Sequence, residues 1–167
     1  GPDKHRAIIA YINEEVDLGQ TPENLLLVEA MRYTTVLVTS FTLEGAPVVE
    51  NPAATEAYKS IDPRKLPKGA SVFEARFAVP GEGRRCLASA LESDGGRWTH
   101  DMRTDGGIRR HTLDIRRTRH QLTGEPLLLV VEYDVTDLHE ALDAAEQAQE
   151  KLRRQAHYDA LTGLPSL

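Results

Sequence analysis

Residues 132–167 read EYDVTDLHEALDAAEQAQEKLRRQAHYDALTGLPSL. The stretch leaves an apolar run at residues 127–131 (LLLVV), crosses Asp134-Val135-Thr136-Asp137, and then carries no glycine or proline before Gly163. Its Ala, Glu, Gln, Leu, Lys and Arg are strong helix formers. Asp134 or Thr136 can offer an N-cap oxygen to the first-turn N–H groups. Asp137 and Glu140 add negative charge where the helix dipole favours it. Leu138, Leu142, Ala145, Gln149, Leu152 and Ala156 recur at alternating spacings of four and three. That is a heptad stripe, the pattern of two helices supercoiling on each other. The remaining faces are polar, so the pattern predicts a coil; the competing reading is a single helix lying on its own domain.

The totals set outer limits. The chain has 167 residues, room for one domain of ordinary size plus extensions. A formal net charge of −6 gives no electrostatic footprint for nucleic acid or an anionic membrane surface. No apolar run approaches the roughly 20 residues a membrane-spanning helix needs. Cys86 is the single cysteine, so no internal disulfide can form, and a cytoplasmic location is expected.

Upstream, residues 4–16 show an amphipathic helical pattern. Thr21-Pro22-Glu23 starts a second helix that is apolar over most of its girth, with Leu25, Leu26, Leu27, Val28, Ala30 and Met31. It needs a partner: the outer face of this chain's own sheet, or the same helix of a second subunit. Residues 35–41 (TVLVTSF) and 46–50 read as two strands around the turn Glu44-Gly45. Asn51-Pro52 opens a helix, with Asn51 as N-cap. Residues 61–70, broken by Pro63 and Pro67, read as loop or short 3₁₀ turns. Pro80 is placed to start a helix through Glu92, with Cys86, Leu87, Ala90 and Leu91 on its apolar side and Asp94-Gly95-Gly96 as its stop. Residues 97–103 and 108–117 alternate in polarity around Asp105-Gly106-Gly107, a hairpin. Trp98, His100 and Met102 share one face of the first strand, and His111, Leu113 and Ile115 one face of the second. The unbroken apolar run at 127–131 suits a central strand.

The segment His157-Tyr158-Asp159-Ala160-Leu161-Thr162-Gly163-Leu164-Pro165 resembles the opening of GGDEF-type diguanylate cyclase domains, with their Asp-x-Leu-Thr-Gly-Leu-Pro core. The GGDEF signature itself is absent, so the resemblance carries over no catalytic residue. Asp134-Val135-Thr136 before such a helix resembles the exit of a PAS sensor domain. The order strand-strand-helices-strand-strand-strand resembles the PAS fold. The resemblance implies an α+β domain: a five-stranded antiparallel sheet with helices on one face, N-terminal helices and a long C-terminal signalling helix. It implies an N-terminal extension at 1–34, a sensor at 35–136, a signalling helix at 137–157 and the start of a truncated cyclase domain at 158–167. The expected function is signal input, passed through Asp134, Val135 and Thr136 to a paired helix that sets the output of a covalently linked cyclase making cyclic di-GMP.

PAS domains often enclose a ligand cavity between sheet and helices. Asn51, Trp98, His100, Met102, Arg110 and His111 are the candidate lining. The residues themselves favour Asn51 as a pure cap and the two histidines as ordinary strand residues. Cys86 lies in Arg-Arg-Cys-Leu-Ala, unlike the reactive motif of flavin photosensors, and residues 51–96 hold no histidine to ligate haem. Haem and flavin are therefore disfavoured, no metal or other cofactor is identified, and a small-molecule ligand stays open. The expected assembly is a homodimer. The alternative function is a ligand-free dimerisation module or one responding to a physical variable such as temperature. Catalysis within this chain is disfavoured, because no nucleophile–base set, carboxylate pair or phosphate-binding loop stands out.

Overall fold

The computed structural model describes residues 35–163 and Pro22. The N-terminal helices expected before residue 35 lie outside the described residues, as do residues 164–167 of the C-terminal motif. The chain divides into two units, one ending at Asp134 and one beginning at Val135.

In the first unit, β1 (Leu37–Thr42) and β2 (Pro47–Glu50) are followed by α1 (Pro52–Ala57), a 3₁₀ turn (Pro63–Lys65), α2 (Val72–Ala75) and α3 (Glu82–Glu92). Strands β3 (Gly95–Thr104), β4 (Gly107–Arg119) and β5 (Pro126–Asp134) complete it. The sheet order is β2-β1-β5-β4-β3, and every pairing is antiparallel. The last strand in sequence is thus the middle strand in space, as its continuous apolar run suggests.

Alternation along each strand sends one set of side chains toward the helices. Leu37, Thr39 and Phe41 of β1, Met102 of β3, His111, Leu113 and Ile115 of β4, and Leu128, Val130 and Glu132 of β5 are all buried. They meet Ala54 of α1, Tyr58 at its C-cap, Phe73 of α2, Phe77, and Cys86, Leu87 and Ala90 of α3. Phe41 and Phe73 pack edge to face at 5.2 Å. The segment after α2 fastens to the edge strand: Arg103 N–H donates to Arg76 O at 2.7 Å, and Ala78 N–H donates to Asp101 O at 2.9 Å.

Three local expectations change. The N-cap of α3 is Gly81, with φ 86°, so Pro80 stands outside the helix it was expected to start. That helix is capped by Ser93, and Gly95 and Gly96 belong to β3, not to a helix stop. At Gly95 φ is 111° and a Cβ would lie 2.5 Å from Ile115 O, so β3 can begin beside β4 there only without a side chain. The N-cap position of the long C-terminal helix falls on Val135, between the two residues expected to cap it.

That helix, α4 (Thr136–Thr162), makes up the described part of the second unit. It runs past His157 through the first part of the cyclase-like motif. Gly163 ends it in the left-handed conformation, its N–H donating to Asp159 O at 2.8 Å. Leu138, Leu142 and Leu152 are 61%, 56% and 67% exposed, and none of α4's described residues is buried.

Candidate functional site

Polar groups gather where β1, β4 and β5 face the helices. Arg76, which follows α2, is 2% exposed and reaches across the core. Its Nη1 donates to Thr39 Oγ1 at 3.0 Å, and its Nη2 donates to Glu50 Oε2 of β2 at 2.8 Å. Nη1 also lies 3.6 Å from Glu132 Oε2. The guanidinium sits 4.2 Å from the centroid of the Tyr58 ring and 4.9 Å from that of Phe41. These aromatic faces accompany a charge whose Nε finds no hydrogen-bond partner.

Glu132 is the second pole. Its Oε1 accepts from the Tyr58 hydroxyl at 2.5 Å and lies 3.1 Å from His111 Nδ1. Tyr58 and His111 are themselves 3.4 Å apart at Oη and Nδ1. Burial, followed by the negative charge of Glu132, holds the Tyr58 hydroxyl well above the usual phenol range, so it stays a donor. Burial likewise pushes the Cys86 thiol up to about 12, with Glu132 and Glu82 adding to the effect. Cys86 is thus a small packed residue without thiolate character at neutral pH.

The six candidate lining residues separate. His111 and Met102 are buried in the core. His100 and His111 are direct cross-strand partners, yet each holds its own carboxylate. His100 Nδ1 lies 2.9 Å from Glu82 Oε2 of α3, and its ring packs on Phe77 at 5.3 Å. Trp98 packs half-buried at the rim of the core. Asn51 is buried but engaged: its Oδ1 accepts from Ala54 N–H and Val38 N–H at 3.0 Å each, and its Nδ2 donates to Val36 O at 2.8 Å. Arg110 points to the opposite face of the sheet, where Nη1 donates to Asp101 Oδ1 at 3.2 Å. Among the described residues no group of three His, Cys, Asp or Glu side chains could hold a metal ion.

The sequence reading missed Arg76, Glu132, Tyr58, Thr39 and Glu50. The signal was present in part. Leu128, Val130 and Glu132 fall on one face of β5, so the glutamate interrupts an inward row and calls for a buried partner. Arg76 lies among Phe73 and Phe77, a cation in an apolar series.

No family model matches the sequence, and no curated protein matches it. Among solved structures, an RNA-binding light-oxygen-voltage receptor superposes with a TM-score of 0.55 at 17% identity, covering 75% of this chain. The fold is that of PAS domains. This PAS-fold chain spans only 36% of that receptor's length. A PAS domain from Desulfitobacterium hafniense gives a TM-score of 0.48 at 16% identity, covering 64% of this chain and 98% of its own. A sensory box histidine kinase/response regulator from Burkholderia thailandensis gives 0.49 at 22% identity, covering 75% and 96%.

Proposed function

We propose that this chain is the cytoplasmic sensory and dimerising part of a cyclic di-GMP signalling protein. The PAS-fold unit receives a signal, Asp134-Val135-Thr136 passes it on, and α4 of two copies pair so as to set how two linked cyclase domains face each other. The observation that carries the reading is α4 itself. A 27-residue helix leaves Leu138, Leu142 and Leu152 largely exposed at heptad spacing and ends inside the cyclase-like Asp159-Ala160-Leu161-Thr162-Gly163 segment. Ala145, Gln149 and Ala156 complete the stripe; a polar residue within such a seam selects partner register at some cost in stability.

The test is sedimentation velocity on the whole chain. The wild type is expected to sediment as a dimer and Leu138→Glu/Leu142→Glu as a monomer with unchanged circular dichroism of the sheet. A variant that sediments like the wild type would remove α4 from the dimer seam. In a cyclase-bearing protein, Asp134→Ala is expected to leave the domain folded while cyclase activity no longer follows the stimulus.

The buried polar cluster supports a second reading, a module working without a small molecule. Arg76, Tyr58, His111 and Glu132 occupy the space between sheet and helices and bond one another. Native mass spectrometry separates the two readings. An extra small mass on the dimer favours a ligand-gated sensor, and a bare dimer favours the ligand-free one.

A further inference from the structure

One histidine in the PAS-fold unit stands between two carboxylates at different depths. His111 is 2% exposed. Its Nδ1 lies 3.1 Å from Oε1 of buried Glu132, and its Nε2 lies 3.9 Å from Oδ2 of Asp134. Asp134 is its direct cross-strand partner and the last residue of β5. We infer that His111 is a proton-operated switch that ties the buried polar cluster to Asp134 at the exit of the sheet. The inference rests on this unit alone and is independent of what α4 controls.

A neutral imidazole has one N–H, and a protonated one has two. With the proton on Nδ1, donated to Glu132, the lone pair of Nε2 faces the Asp134 carboxylate, acceptor against acceptor. A second proton turns that confrontation into a charge-assisted hydrogen bond, which draws the 3.9 Å separation toward bonding distance. Charged and titratable groups face the ring from several elements. From the helices come Tyr58, kept neutral as a donor, Arg76, and the neutral Cys86. From β3 comes His100, held by Glu82. From β4 comes Arg109, whose Nε donates to Asp134 Oδ2 at 2.8 Å. From β2 and β5 come Glu50 and Glu132, both paired to Arg76. Within the buried set, two carboxylates face one permanent cation, and a proton on His111 cancels the surplus negative charge. Histidine is the side chain whose charge ordinarily changes between about pH 5 and 8.

The experiment follows histidine ring nitrogens and the backbone amides of residues 133–137 by NMR, on the 167-residue chain, from pH 8 to pH 5.5. A His139→Gln background removes the imidazole of α4 that lies one turn beyond Val135. The expected result is that the His111 ring passes from one protonated nitrogen to two and that the exit amides shift on the same curve. His111→Gln should flatten that curve. Asp134→Asn alters a half-exposed side chain, and there the ring should still titrate while the exit amides lose most of their shift. A His111 ring that keeps one proton throughout would overturn the proposal, as would exit amides that move equally in either variant.

Discussion

Arg76 shows how much one residue organises here. It holds Thr39, Glu50 and Glu132 from three strands while sitting over two aromatic rings. A buried ion pair adds little over an apolar substitute, but removing one partner strands the other's charge. Arg76→Met should therefore cost about 3–5 kcal/mol in urea unfolding. Adding Glu132→Gln should recover part of that loss, because the two changes share one network. A loss below about 1 kcal/mol would mean that water reaches the carboxylates. At this scale the sequence was least legible. His111 and Met102 could be placed inward from alternation alone. Arg110 could not serve the same cavity, because it alternates to the other face. Arg76 and Tyr58 come from short helical pieces whose facing depends on tertiary packing, which no local period encodes.

At the scale of elements, α2 and α3 meet at Gly83. A Cβ there would lie 2.7 Å from the Glu74 Cα and 2.9 Å from the Phe77 ring. Alanine favours a helix over glycine by about 1 kcal/mol. Gly83→Ala should nonetheless destabilise by about 1–3 kcal/mol in thermal or urea unfolding, because the backbone of α2 must give way. A stabilised variant would show that the two helices separate easily. Elements with strong periodicity were readable: the β3–β4 hairpin, with His100 opposite His111, and β5 as the middle strand. Boundaries moved where glycine serves two purposes. Gly95-Gly96 reads as a helix stop in one dimension, yet it forms the start of β3 because Ile115 O approaches so closely. Val72–Ala75 is a helix of one turn, with too few residues to show a period in the sequence.

For the domain as a whole, alkaline pH should be the weak side. The Tyr58 hydroxyl is held above its ordinary value and the Cys86 thiol is raised from 9.0 to about 12. Both groups keep their protons more firmly folded than unfolded. The stability they contribute is complete below an unfolded thiol's value and is lost as pH climbs from 9.0 toward about 12. Urea midpoints measured across that window should fall, and they should fall less steeply in Tyr58→Phe and Cys86→Ala. Parallel slopes would mean that these groups already meet solvent in the folded state. The overall architecture was legible because the order of strands and helices constrains a small α+β domain strongly. The charged interior was not, since pairing between Glu50, Arg76 and Glu132 spans distant parts of the chain.

The position of β5 also bears on how the domain comes into being. Leu37 pairs with Glu132, about 95 residues later, and His111 pairs with Asp134. Until that strand leaves the ribosome, the β1–β2 and β3–β4 ribbons have no common neighbour. At roughly 5–20 residues per second, the nascent chain waits on the order of 5–20 s between making β1 and being able to close its sheet. Closure of the sheet and emergence of α4 are therefore nearly simultaneous events: a polypeptide interrupted before residue 126 lacks the strand that joins its two ribbons, and one that reaches residue 134 can complete the sheet as α4 begins to appear.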